Sequence, residues 1–121
     1  MSRGPKPTDT KLYDGFAAAY KAEYNTDAGQ FTEQATDATN IILAAIEKVG
    51  TVDGSGNLVI DRQKLIDALK ATDYNGASGE ISFDDKGDRT TADYYILKYA
   101  GTDNLADNKL FKKITVAAPK T

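Results

Sequence analysis

Two acidic stretches, Asp84-Asp85-Lys86-Gly87-Asp88 and Asp53-Gly54-Ser55-Gly56-Asn57, come nearest to chemistry in residue type and spacing. That chemistry would be oxygen ligation of a hard cation, or acid–base work by a carboxylate pair. Counted from Asp53, a calcium loop needs glycine at its sixth position and a bidentate glutamate at its twelfth, and the chain has Leu58 and Lys64 there. A lysine at the last ligand position repels calcium, so the expectation is a structural turn and no metal site. The second cluster carries Lys86 and Arg89 among its carboxylates. Aspartate favours turns by accepting from nearby backbone N–H groups, and a charged turn is the expectation here too.

Composition removes most other chemistry. The chain has no Cys and no His, which excludes disulfides, thiolate nucleophiles, Cys/His zinc sites and imidazole catalysis. Neither phosphate-binding glycine pattern is present, nor a G-x-S-x-G nucleophile turn. No enzymatic activity and no cofactor are expected. Fifteen basic and 18 acidic residues, interspersed for a net charge of −3, supply no basic stripe, so nucleic acid is not an expected partner. No apolar run approaches the ~20 residues needed to cross a bilayer. Seven Tyr and four Phe mostly recur at helical or strand spacing, as a core requires. Phe31 stands apart in a loop ahead of a helix, where its ordinary role is a hydrophobic staple.

These residues must be positioned by an α+β chain of three helices followed by about three short strands. At 121 residues, the chain spanning 1–121 reads as a single or partial domain, helical over about 9–72 and stranded over about 80–116. Thr8, Asp9 or Thr10 can cap a first helix running to about Tyr24, with Leu12, Phe16, Ala19, Tyr20 and Glu23 on one side. A second helix runs from Phe31 or Thr32 to Val49 with Ala35, Ala38, Ile42, Ala45, Ile46 and Val49 as its apolar stripe, and Gly50 ends it. Residues 51–60 suit a small hairpin. Asp61 caps a third helix to about Thr72 that buries Leu65, Ile66 and Leu69. Asn75-Gly76 and Ser78-Gly79 read as turns before a strand at Ile81 to Phe83. In the next strand Tyr95, Leu97 and Tyr99 alternate with Tyr94, Ile96 and Lys98, which predicts a strand covered on both faces. Leu110 to Val116 forms the last.

Order and motifs together resemble a known family. Phe16-Ala17-Ala18-Ala19-Tyr20-Lys21-Ala22-Glu23-Tyr24 resembles an F-x-x-x-Y-x-x-x-Y helix, and Thr36-Asp37-Ala38 resembles a Y-D-A helix with Thr in place of Tyr. Gly76-Ala77-Ser78-Gly79-Glu80-Ile81-Ser82-Phe83-Asp84-Asp85-Lys86-Gly87-Asp88 resembles G-x-x-G-x-[IL]-x-F-D-x-x-G-D. These are features of the C-terminal part of type I periplasmic substrate-binding proteins of the branched-chain amino-acid ABC transporter family. The resemblance covers about Asp9 to Tyr99. It implies a non-catalytic, periplasmic or extracellular parent that carries a small polar ligand, expected to be an amino acid, to the membrane subunits of an ABC transporter. It also implies that Phe31 can approach the apolar part of that ligand. Such receptors are two-lobed and much longer than this chain, and no apolar run near Met1 could serve as a secretory signal. Met1 is therefore expected to open an excised fragment. Apolar surface orphaned by the missing elements can be hidden in a homodimer or by repacking the helices on the strands. A stand-alone structural or interaction domain without a small-molecule ligand is the rival reading.

Overall fold

The computed structural model describes residues 11–29, 31–103 and 107–118. It is an α+β chain in the order α1 (Lys11–Tyr24), α2 (Thr32–Val49), β1 (Thr51–Val52), β2 (Leu58–Val59), α3 (Arg62–Lys70), β3 (Asp73–Gly76), β4 (Gly79–Ser82), β5 (Thr91–Lys98) and β6 (Lys109–Ala117). The strands pair as three separate antiparallel hairpins, β1–β2, β3–β4 and β5–β6. The cap expected for α1 at Thr8, Asp9 or Thr10 lies outside the described residues.

Local chemistry explains the boundaries. The Asp61 carboxylate accepts from the Lys64 backbone N–H at 2.9 Å and starts α3. Gly50 ends α2 with extended backbone rather than a left-handed turn; a Cβ there would lie 2.7 Å from the Ile46 carbonyl oxygen and 3.0 Å from Leu58. Close approach, not φ, is what demands glycine at this point. The β1–β2 hairpin forms as expected, in the register Thr51 opposite Val59 and Val52 opposite Leu58. Strand β3 departs from expectation. Asp73-Tyr74-Asn75-Gly76 has turn composition, yet it pairs along its length with β4, from Asp73 opposite Ser82 to Gly76 opposite Gly79.

The faces differ from those read off the spacing. In α1 the buried residue is Tyr13, with Phe16, Ala17 and Tyr20 half-buried, so the inward stripe is rotated away from Leu12, Ala19 and Glu23. Tyr13, Phe16, Tyr20 and Tyr24 form a ladder with successive centroids 6.4, 5.9 and 4.7 Å apart. In α2 the buried positions are Glu33, Asp37, Ile41 and Ala45, spaced at four residues, while Ile42 and Leu43 are exposed. The expected stripe shares Ala45 with this face, and its Ile46 and Val49 are half-buried, but it missed Glu33 and Asp37 because they are acids. Ile66, expected inside, is exposed on α3. Strand β5 is not covered on both sides: Tyr94 and Ile96 are exposed, as is Tyr99 beyond it. The packed core is small, comprising Tyr13, Ile41, Ala45, Ala77 and Ile81.

Candidate functional site

The site grows from one buried carboxylate. Asp37, 1% exposed on α2, accepts from the backbone N–H of Ala77 at 3.0 Å and of Ser78 at 2.7 Å. Those two residues are the turn between β3 and β4, so a helix side chain fixes the turn across about 40 residues of sequence. The approach leaves no space at Gly76, where a Cβ would overlap the Asp37 carboxyl group. Glycine and aspartate are therefore required together.

Beside this clamp lies a cleft of about 500 Å³, walled by Gln34 at the start of α2, by Asn75 of β3, by Ser78 at the β3–β4 turn, and by the inward face of β5–β6. That inward face follows from register: Asp93 opposes Thr115, and Tyr95 opposes Lys113. Asp93 accepts from the Thr115 hydroxyl at 2.6 Å and pairs with the Lys113 ammonium at 3.0 Å. The Thr115 hydrogen bond, then Lys113 and the more distant Arg89, hold the Asp93 carboxyl below the usual carboxylate range despite some opposing desolvation. Lys113 also sits over the Tyr95 ring at 6.0 Å. Arg89 donates to the Glu80 carbonyl oxygen. The Ser78 hydroxyl is buried at the cleft wall and finds no partner among the described residues. Both charge signs, hydroxyls and amides thus line one concavity. It can bind and orient a small polar molecule by hydrogen bonding.

Phe31 stands one helical turn before Gln34 and does not line the cleft. It occupies the N-cap position of α2 with φ 66° and ψ 7°, in the left-handed region, and is 64% exposed. A staple would bury the ring against the helix, and this exposure does not fit one. The two acidic stretches are turns. Asp53 accepts from the N–H of Ser55 and Asn57, each at 2.8 Å, and Asp84 accepts from the N–H of Lys86 and Asp88, each at 2.9 Å. Bonds from Asn57 and Ser55 lower the Asp53 carboxyl below its ordinary range. Among the described residues, no three metal-ligating side chains converge.

Asp37 and Ser78 were read only as motif and turn residues, and Asp93, Lys113 and Thr115 were given no site role by the sequence. A signal existed for the hairpin residues, since the alternation in β5 puts Asp93 and Tyr95 on one face.

Comparison with known proteins decides the family. A family model described as periplasmic binding protein matches residues 3–104. The chain belongs to that family. As a periplasmic binding protein it is similar to the leucine-, isoleucine-, valine-, threonine-, and alanine-binding protein of Pseudomonas aeruginosa, 30% identical over 81 residues, which is 67% of this chain and 20% of that relative. The chain thus spans about one fifth of the length of the curated relative it matches. No solved structure matches it.

Proposed function

We propose that this chain is part of a periplasmic or extracellular solute receptor, non-catalytic, whose parent binds a small amino acid and delivers it to the membrane subunits of an ABC transporter. The family match across residues 3–104 carries the reading, and the amino acids named for the Pseudomonas relative support an amino acid as the solute. In such receptors two lobes close around the ligand, and affinity reflects the difference between open and closed states. Phe31 is the residue we assign to the apolar part of the solute. Its exposure and its left-handed backbone leave its ring unused by the local core, in keeping with a contact supplied to something outside it.

The test uses the full-length protein that carries this chain. Calorimetric titration with leucine, isoleucine, valine, threonine and alanine is expected to show binding of at least one of them. Phe31→Ala should weaken that binding by roughly tenfold, the scale of one partly buried aromatic contact. Binding of none of the five by the unmodified protein defeats the receptor reading. An unchanged affinity in the variant removes Phe31 from the site and leaves the receptor standing.

A further inference from the structure

The first two turns of α2 are held by polar side chains. Glu33 and Asp37 are buried there, whereas the apolar members of the inward face, Ile41 and Ala45, stand further along the helix. Well-packed apolar side chains usually hold an interior at least as well as buried charges do, so stability alone gives no reason for carboxylates at this end. What a carboxylate adds is direction. Apolar contact is indifferent to orientation, but hydrogen bonds weaken steeply off axis, and Asp37 holds the Ala77 and Ser78 N–H groups at 3.0 and 2.7 Å. Gly76 lets the turn come close enough to be held.

The end so oriented is the one that carries Phe31. The Phe31 carbonyl accepts from the Ala35 N–H at 3.0 Å, the Thr32 hydroxyl donates to the Gly29 carbonyl at 3.0 Å, and the Thr36 hydroxyl donates to the Thr32 carbonyl at 2.9 Å. Phe31 therefore moves with the helix. It precedes Asp37 by about 9 Å along the axis and Ile41 by about 15 Å. With the clamp released, Ile41 is the nearest buried apolar side chain on α2. A tilt of about 5° around it would carry Phe31 roughly 1 Å, and a gap of that size forfeits up to about half of a dispersion contact.

We infer, resting on the assignment of Phe31 to the solute, that Asp37 is a positioning residue for binding: by fixing α2 to the β3–β4 turn it sets where Phe31 meets the solute. At 1% exposed, Asp37 does not touch the solute itself. An effect that runs through Phe31 can be no larger than what Phe31 supplies.

A double-mutant cycle on affinity tests it in the full-length protein, by calorimetry with whichever of leucine, isoleucine, valine, threonine and alanine binds most tightly. Asp37→Asn keeps the size of the side chain but turns an amide N–H toward one of the two donors. It should weaken binding by about threefold or more, and by no more than the roughly tenfold of Phe31→Ala. In the Phe31→Ala background it should then have almost no further effect. Gly76→Ala drives a methyl into the clamp, should weaken binding in the same direction, and carries the cycle if Asp37→Asn does not fold. Asp61→Ala removes the cap of α3, which also destabilises the fold, and should leave affinity unchanged. Circular dichroism at the temperature of the titrations identifies the folded variants. Unchanged affinity in the clamp variants, losses that simply add to that of Phe31→Ala, or an equal loss in Asp61→Ala would each overturn the role given to Asp37 and leave the receptor standing. Binding of none of the five amino acids, or no loss in Phe31→Ala, would instead overturn the reading on which that role rests, and the role with it.

Discussion

Asp37 is a charged side chain that the fold treats as core. Its two oxygens replace water with the N–H groups of Ala77 and Ser78, and charge-assisted bonds of this kind are the stronger class. Removing the carboxylate orphans both donors, so Asp37→Ala should destabilise by about 3 kcal/mol. Gly76→Ala should cost about 2 kcal/mol, since the new methyl collides with that carboxyl. The informative variant is the pair. With the carboxylate gone the methyl has space, and the double variant should be at least ~1 kcal/mol less destabilised than the sum of the singles. Urea unfolding measures all three, and strict additivity would show that the two residues are not coupled. Both residues stand in the motifs that carry the family resemblance, but their contact was not legible in the sequence. An Asp in a helix reads as a solvated residue, and Gly76 after Asn75 reads as a turn. Only the antiparallel pairing of β3 with β4 brings the glycine under the helix.

Element boundaries were more legible than element faces. Asp61 and Gly50 mark helix ends through chemistry confined to a few neighbouring residues, and both act where expected. Faces depend on what lies opposite, and the spacing in α1 and α2 could not say which side that would be. The loops hold a regularity that composition concealed. Asp53-Gly54-Ser55-Gly56-Asn57 and Asp84-Asp85-Lys86-Gly87-Asp88 share the pattern D-x-x-G-[ND] and one geometry. In each, the aspartate N–H donates to the fifth residue's carbonyl at 2.9 Å, the glycine N–H donates back at 3.0 Å, and the glycine is left-handed, at φ 84° and 89°. A three-residue hairpin loop with glycine at the left-handed position satisfies these demands. The aspartate caps it by accepting from the third and fifth N–H groups. Both Asp53 and Asp93 have carboxyls lowered by the fold, and the sign follows from that. Their stabilisation is complete above the unfolded carboxylate range and is lost as pH falls through the depressed folded values, which places the loss below about pH 4. Melting temperature measured against pH should therefore fall less steeply in that window for Asp53→Asn and Asp93→Asn than for the unmodified chain. Parallel curves would remove these carboxylates from the acid response.

As a whole molecule the chain packs lightly. Among the described residues the small core comes from α1, α2 and the β3–β4 hairpin alone, and just ahead of β5 the Thr90 N–H donates to the Ser82 carbonyl of β4 at 3.1 Å. The fold class and the family were legible because motifs such as Gly76 to Asp88 are contiguous in sequence. The cleft was not, since its walls come from segments that spacing alone cannot bring together. A concavity open on one side encloses little of a solute, and pockets that bind tightly bury most of the ligand. Calorimetry of this chain by itself against a panel of free amino acids should therefore detect no appreciable heat of binding. Micromolar affinity would mean that the cleft beside Asp37 is sufficient alone.

The backbone at Phe31 has a consequence for foldability. A left-handed residue with a Cβ is strained by roughly 1–2 kcal/mol, a strain that glycine does not feel. With most of its ring in water, Phe31 recovers little of that through burial, and its side chain caps no N–H of α2. Position 31 is thus a place where the chain would fold more readily with no side chain at all, and folding by itself gives no reason for an aromatic ring there.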